Sequence, residues 1–84
     1  MDIIALFEAA QENVKKLPDQ SNDNLLALYG LFKQATDGDI SIEKPTNMFD
    51  FKGIAKYNAW EALKGVSKEK AMENYCSLVD SLQN

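Results

Sequence analysis

Apolar residues in this chain recur at steps of three and four, and that spacing restricts its fold more than any other feature. Ile3, Leu6, Phe7, Ala10, Val14 and Leu17 line one face of a helix predicted over residues 2–16. Pro18 stops it. Lys15 and Lys16 fall in its predicted last turn, where cations complement the helix dipole. Leu25, Leu28, Tyr29 and Phe32 build a second stripe, on a helix predicted from about 22 to 36. The cluster "SND" at 21–23 supplies N-cap residues for it, and Gly38 is placed to end it. A third helix starts near Asp50–Gly53 and runs to about Lys64, with Gly65 as its stop and Ala55, Ala59, Ala62 and Leu63 on a small-residue face. A fourth starts at the Ser67 N-cap, has Glu69 in its first turn, and carries a seam of Ala71, Met72, Tyr75, Leu78, Val79 and Leu82.

Residues 37–50, "DGDISIEKPTNMFD", show no helical period. Gly38, Pro45 and Asn47 punctuate them, and Pro45 argues against a strand hairpin. The apolar Ile40, Ile42, Met48 and Phe49 are expected to fold this loop back onto the helices. The expected architecture is therefore all-α: a four-helix bundle forming one domain, 1–84, with a long loop between helices 2 and 3. A chain of 84 residues buries only about 60–65% of its unfolded surface. Its one cysteine, Cys76, excludes an intrachain disulfide, so apolar seams must hold the fold.

The same composition narrows function. Histidine is absent. That removes the commonest general base and, with a single cysteine, leaves no ordinary zinc ligand set. No catalytic residue and no metal or other cofactor is expected, so the chain is not read as an enzyme. "DGDISIE" has a superficial likeness to a calcium loop, but its glycine is second rather than sixth. The net charge is −4, and all nine basic residues are lysines. Without arginine forks, nucleic-acid binding is disfavoured. No apolar run approaches the ~20 residues of a membrane span, and "MDIIALF" carries Asp2 where a signal peptide needs a basic region. A soluble, cytoplasmic monomer without stable membrane insertion is the expectation.

Three lysines stand out. Lys33 follows Tyr29 by four residues, at the border of the second stripe. It either completes the helix dipole with its stem over Tyr29, or it holds an anion. Lys52 and Lys56 share one side at the start of the third helix, an end that disfavours a lysine and favours an anion. They read either as solvated surface cations, Asp50 pairing with one of them, or as two arms of a phosphate site. Tyr29, Phe32, Tyr57, Trp60 and Tyr75 are ordinary core residues for a bundle, Trp60 above all, yet rings beside clustered lysines also stack a base. Cys76, beside the fourth seam, reads as packing rather than as a reactive thiol.

The segment "LYGLFKQATDGD", continued by "DFKGIAKYNAWEALKGVSKEKAMENY", closely resembles the acyl-CoA-binding protein family over roughly residues 7–80. Y-G-x-F-K-Q-A-T-x-G-D followed by D-F-K-G-x-A-K is a specific pair of motifs. The resemblance implies a four-helix bundle of the acyl-CoA-binding protein type. It also implies noncatalytic binding, buffering and transport of long-chain acyl-CoA thioesters. By motif position it implies that Tyr29, Lys33 and Lys56 hold the 3′-phosphate of the CoA head group. Phe32 matches an aromatic stacked near the adenine, Tyr75 a tyrosine bordering the nucleotide, and Lys15 and Lys52 further basic contacts. Ala10, Leu25 and Leu26 match positions lining the acyl-chain groove. Phe32 stands where many members have tyrosine, Tyr57 where tryptophan is common, Ile54 where lysine is frequent and Gln20 where proline is usual. The competing expectation is a helical protein-interaction module, whose groove of aromatic and aliphatic residues, without converging lysines, binds a partner helix.

Overall fold

Four short polar side chains decide where the helices begin. In the computed structural model, which describes residues 2–83, Asp2, Ser21, Asp50 and Ser67 each accept a hydrogen bond from a backbone N–H two or three residues on. Behind these caps run α1 (Ile3–Val14), α2 (Asn22–Asp37), α3 (Phe51–Glu61) and α4 (Lys68–Leu82), with no strand among the described residues. Met1 and Asn84, the ends of the expected 1–84 domain, lie outside them. A cap of this kind contributes about 1 kcal/mol, by giving a partner to an amide the helix cannot satisfy itself.

Two helices end earlier than their apolar patterns predict. α1 stops at Val14, and its continuation tightens into i→i−3 turns, with Lys15, Lys16 and Leu17 bonded to Glu12, Asn13 and Val14. Lys15 is thus the C-cap and not part of the last turn. α3 gives way in the same fashion after Glu61, through Leu63 to Trp60 and Lys64 to Glu61. α2 instead runs one residue longer than expected, to Asp37, and closes on Gly38 at φ 83° and ψ −150°, a conformation that glycine alone adopts readily.

α4 packs against both α1 and α2, and α3 closes on α2. The order across the molecule is therefore α1–α4–α2–α3, and the Cα extents of 41 × 28 × 15 Å describe a slab. Its core is built by Phe7 and Ala10 of α1, Leu28, Leu31 and Ala35 of α2, and Ala71, Tyr75 and Val79 of α4. Phe7 stacks on Phe32 at 6.1 Å and meets Tyr75 edge-on at 5.0 Å, so its ring joins three helices. Leu6 and Ala62, expected on buried faces, are exposed.

The long loop does not fold inward as expected. Ile42, Met48 and Phe49 are 53, 72 and 78% exposed. The cause is local: the Asp50 N–H bonds the Asn47 carbonyl, and the Asn47 side chain accepts from the Phe49 N–H. This pinned turn leads directly into the α3 cap and leaves Met48 and Phe49 at its outer corner.

Candidate functional site

The site begins with a missing side chain. A Cβ placed on Gly30 would lie 2.7 Å from the Ala59 carbonyl oxygen. The bare glycine lets α2 and α3 meet backbone to backbone, which brings their lysines within reach of each other's rings. Lys33 Nζ of α2 stands 5.0 Å from the centre of the Trp60 ring of α3. Lys56 Nζ of α3 stands 5.3 Å from the centre of the Tyr29 ring of α2. Tyr29 and Lys33 are one helical turn apart, as are Lys56 and Trp60, so the two cation–ring contacts cross between the helices.

Trp60 is only 2% exposed, and its indole N–H donates to the Gly38 carbonyl at 2.8 Å. Its core reading holds, and it also forms the floor beneath Lys33. The end of α2 is anchored further by Gln34, which is 0% exposed and donates to Asp39 at 2.9 Å and to the Val66 carbonyl at 2.8 Å. Asp39 also accepts from the Gly65 N–H at 2.8 Å. That backbone bond, helped by Gln34, holds the Asp39 carboxyl below its ordinary range.

Lys33 does not sit in the last turn of α2, as its dipole reading requires. It forms a 2.7 Å ion pair with Asp37, the residue that ends the helix. Their hydrogen bond raises the Lys33 ammonium above its usual pKa and lowers the Asp37 carboxyl, with desolvation opposing both.

Toward the N-terminal ends of the same two helices lies a cleft of about 440 Å³, lined by Asn22, Leu25, Leu26, Phe51, Lys52, Ala55 and Lys56. Leu25 is half exposed, and Phe51 is 72% exposed. The cleft thus has aliphatic and aromatic walls and two ammonium groups, and Lys56 belongs both to it and to the crossed pair. Such a surface suits an amphiphile with an apolar chain and an anionic head. A groove for a partner helix was expected to lack converging lysines, and this one contains them.

The remaining candidates lie elsewhere. Phe32 and Tyr75 flank Phe7, and burial pushes the Tyr75 hydroxyl above its usual pKa. Lys15, the C-cap of α1, is paired with Glu12 at 3.3 Å and lines a separate cleft with Ala5, Glu8, Ala9, Gln11 and Glu12. Ala10 is buried in the core and lines neither cleft. Burial raises the Cys76 thiol, which suits a packing role. Sequence reasoning passed over Phe51, Gln34, Asp37 and Asp39. Phe51 lies inside D-F-K-G but outside any periodic seam. Gln34, Asp37 and Asp39 declare themselves only through partners that the fold brings near.

The acyl CoA binding protein family matches residues 5–79 of this chain. The chain belongs to that family. An acyl-CoA-binding protein of Dictyostelium discoideum is 51% identical over 77 residues, covering 90% of each chain. Acyl-CoA-binding protein homolog 1 of Caenorhabditis elegans is 49% identical over 77 residues, covering 90% of this chain and 88% of its own. Among solved structures, Oryza sativa acyl-CoA-binding protein 2 superposes with a TM-score of 0.92 at 42% identity, covering 98% of this chain and 91% of that one. The acyl-CoA-binding protein of Moniliophthora perniciosa gives 0.82 at 41% identity, covering 93% and 76%. For an acyl-CoA-binding protein fold, Gly30, Gln34, Gly38 and Asp39 act as scaffold within the first motif, while Tyr29 and Lys33 project from it toward α3.

Proposed function

We propose that this member of the acyl-CoA-binding protein family binds long-chain acyl-CoA thioesters and releases them unchanged, as a cytoplasmic monomer that buffers and carries them. The observation that carries the reading is the crossing of Lys33 and Lys56 over Trp60 and Tyr29, beside a cleft whose walls are apolar. In this reading the two ammonium groups take the 3′-phosphate of the head group, with the Tyr29 hydroxyl as a further donor. Lys52 meets the head group nearer the thioester, and the acyl chain lies along Leu25, Leu26 and Phe51. Phe32 and Tyr75 border the nucleotide, and Lys15 adds a basic contact from the C-cap of α1.

The magnitudes divide the work. Each sheltered methylene contributes up to ~0.8 kcal/mol, so about fourteen contribute at most about 11 kcal/mol before the chain is ordered. Each charge-assisted hydrogen bond contributes about 1.5–3 kcal/mol. The chain supplies much of the affinity, and the head group selects the ligand. Titration calorimetry with palmitoyl-CoA, CoA and palmitate is the direct test: the thioester binds far more tightly than either fragment. Lys33→Ala and Lys56→Ala each weaken that binding by more than ~1 kcal/mol with the fold intact. Equal affinity for all three ligands, or lysine variants that bind as wild type, would overturn the reading.

A further inference from the structure

Lys33 already has an anion. Asp37 places a carboxylate oxygen 2.7 Å from its ammonium, on the same face of α2 one turn on. Both side chains are partly exposed, at 28% and 48%, so an incoming ligand can reach them. A partly exposed i,i+4 pair stabilises a helix only slightly, and the place of this carboxylate works against that gain. It stands at the C-terminal end of α2, where the dipole disfavours negative charge. It lies between Gln34 and Asp39, which tie the end of α2 into the scaffold, while Asp37 itself bonds Lys33.

We propose that Asp37 is an internal competitor for the head-group phosphate, a carboxylate that holds Lys33 in the free protein and must release it when a phosphate binds. The proposal rests on the head-group reading of Lys33. Its physical basis is an exchange of partners. A phosphate dianion offers more charge and three acceptor oxygens, and so displaces a single carboxylate. The displaced Asp37 remains covalently one turn away and repels the phosphate that replaced it. Lys68, which acts on Asp37 from the start of α4, is the cation available to the carboxylate after release. Asp37 thereby lowers affinity for ligands that carry a phosphate at this point and leaves others alone. It sets how strongly the protein distinguishes a CoA thioester from its dephospho form.

The test pairs palmitoyl-CoA with palmitoyl-dephospho-CoA in calorimetry, against wild type, Asp37→Asn, Asp37→Ser, Asp37→Glu and Lys33→Ala. Removing the charge in Asp37→Asn or Asp37→Ser tightens palmitoyl-CoA binding roughly two- to tenfold, the scale of one exposed charge pair gained or relieved. The dephospho ligand binds these variants as it binds wild type, and Asp37→Glu keeps wild-type behaviour with both ligands. The gain shrinks as salt rises. An equal gain for both ligands, or none for palmitoyl-CoA, overturns the proposal. Lys33→Ala separates the two layers. If it abolishes the preference for the 3′-phosphate while Asp37→Asn changes nothing, the competitor role fails and the site reading stands. If it leaves the preference intact, both fail.

Discussion

Gly30 shows how much of the site depends on one residue. Its missing Cβ leaves room for the Ala59 carbonyl, and a methyl group there would stand 2.7 Å from that oxygen. The obstacle is backbone, so no rotamer change relieves it. Gly30→Ala therefore pushes α3 away from α2, at a cost of about 1–3 kcal/mol on the scale of core overpacking, against a small gain in helix propensity. A lowered urea midpoint with an unchanged slope is the expected result, and a variant as stable as wild type would show that the helices have slack there. The shift also separates Lys33 from Trp60 and Lys56 from Tyr29, so ligand affinity falls with stability. Tyr29 and Lys33 were legible as a pair from their spacing alone, but what they met was not. The choice between dipole, solvent and anion needed α3 beside them, and spacing within α2 contains no information about α3.

At the scale of elements, the apolar stripes and caps located all four helices, because those signals are local. Ser67 and the "SND" cluster did what cap residues do. The expectations that failed concern where a helix ends and which way a loop turns, which short-range hydrogen bonds decide and apolar patterns do not encode. Met48 and Phe49 were expected inside because they are apolar, but the Asn47 turn decided their direction. The junction of α2 with the α3–α4 turn was invisible for a different reason, its separation in sequence: Gln34 reaches Val66 across 32 residues, and Asp39 reaches Gly65 across 26. This junction carries a pH dependence. The folded Asp39 carboxyl lies below its ordinary value, so its contribution is present above about pH 3.9 and is lost as pH falls through the lowered folded value. Wild type is accordingly more stable than Asp39→Asn at neutral pH, and the gap in urea midpoints narrows as pH drops below about 4. A gap constant from neutral to acid pH would mean the charge of Asp39 contributes nothing.

At the scale of the whole molecule, the slab order α1–α4–α2–α3 makes the helices unequal. α4 is gripped on two sides and buries Ala71, Tyr75 and Val79. Among the described residues, α3 closes on α2 alone and buries only Trp60 within its span. Local stability follows buried contact, so α3 and the loop before it belong to the part of the fold that opens first. The proposed ligand cleft spans this same seam, with Leu25 and Leu26 on one wall and Phe51, Lys52 and Lys56 on the other. A ligand held between them binds the closed form and not the opened one, and by linkage it stabilises the closed form with the logarithm of one plus its free concentration over Kd. Hydrogen exchange reads this directly. In the free protein the amides of α3 exchange through openings of lower free energy than those in the middle of α4. Palmitoyl-CoA then slows exchange in α3 and the first half of α2 more than in α1. Equal protection of α3 and α4 without ligand would mean that the single seam with α2 holds α3 as firmly as two neighbours hold α4. A ligand effect centred on α1 would move the binding site to the cleft around Lys15.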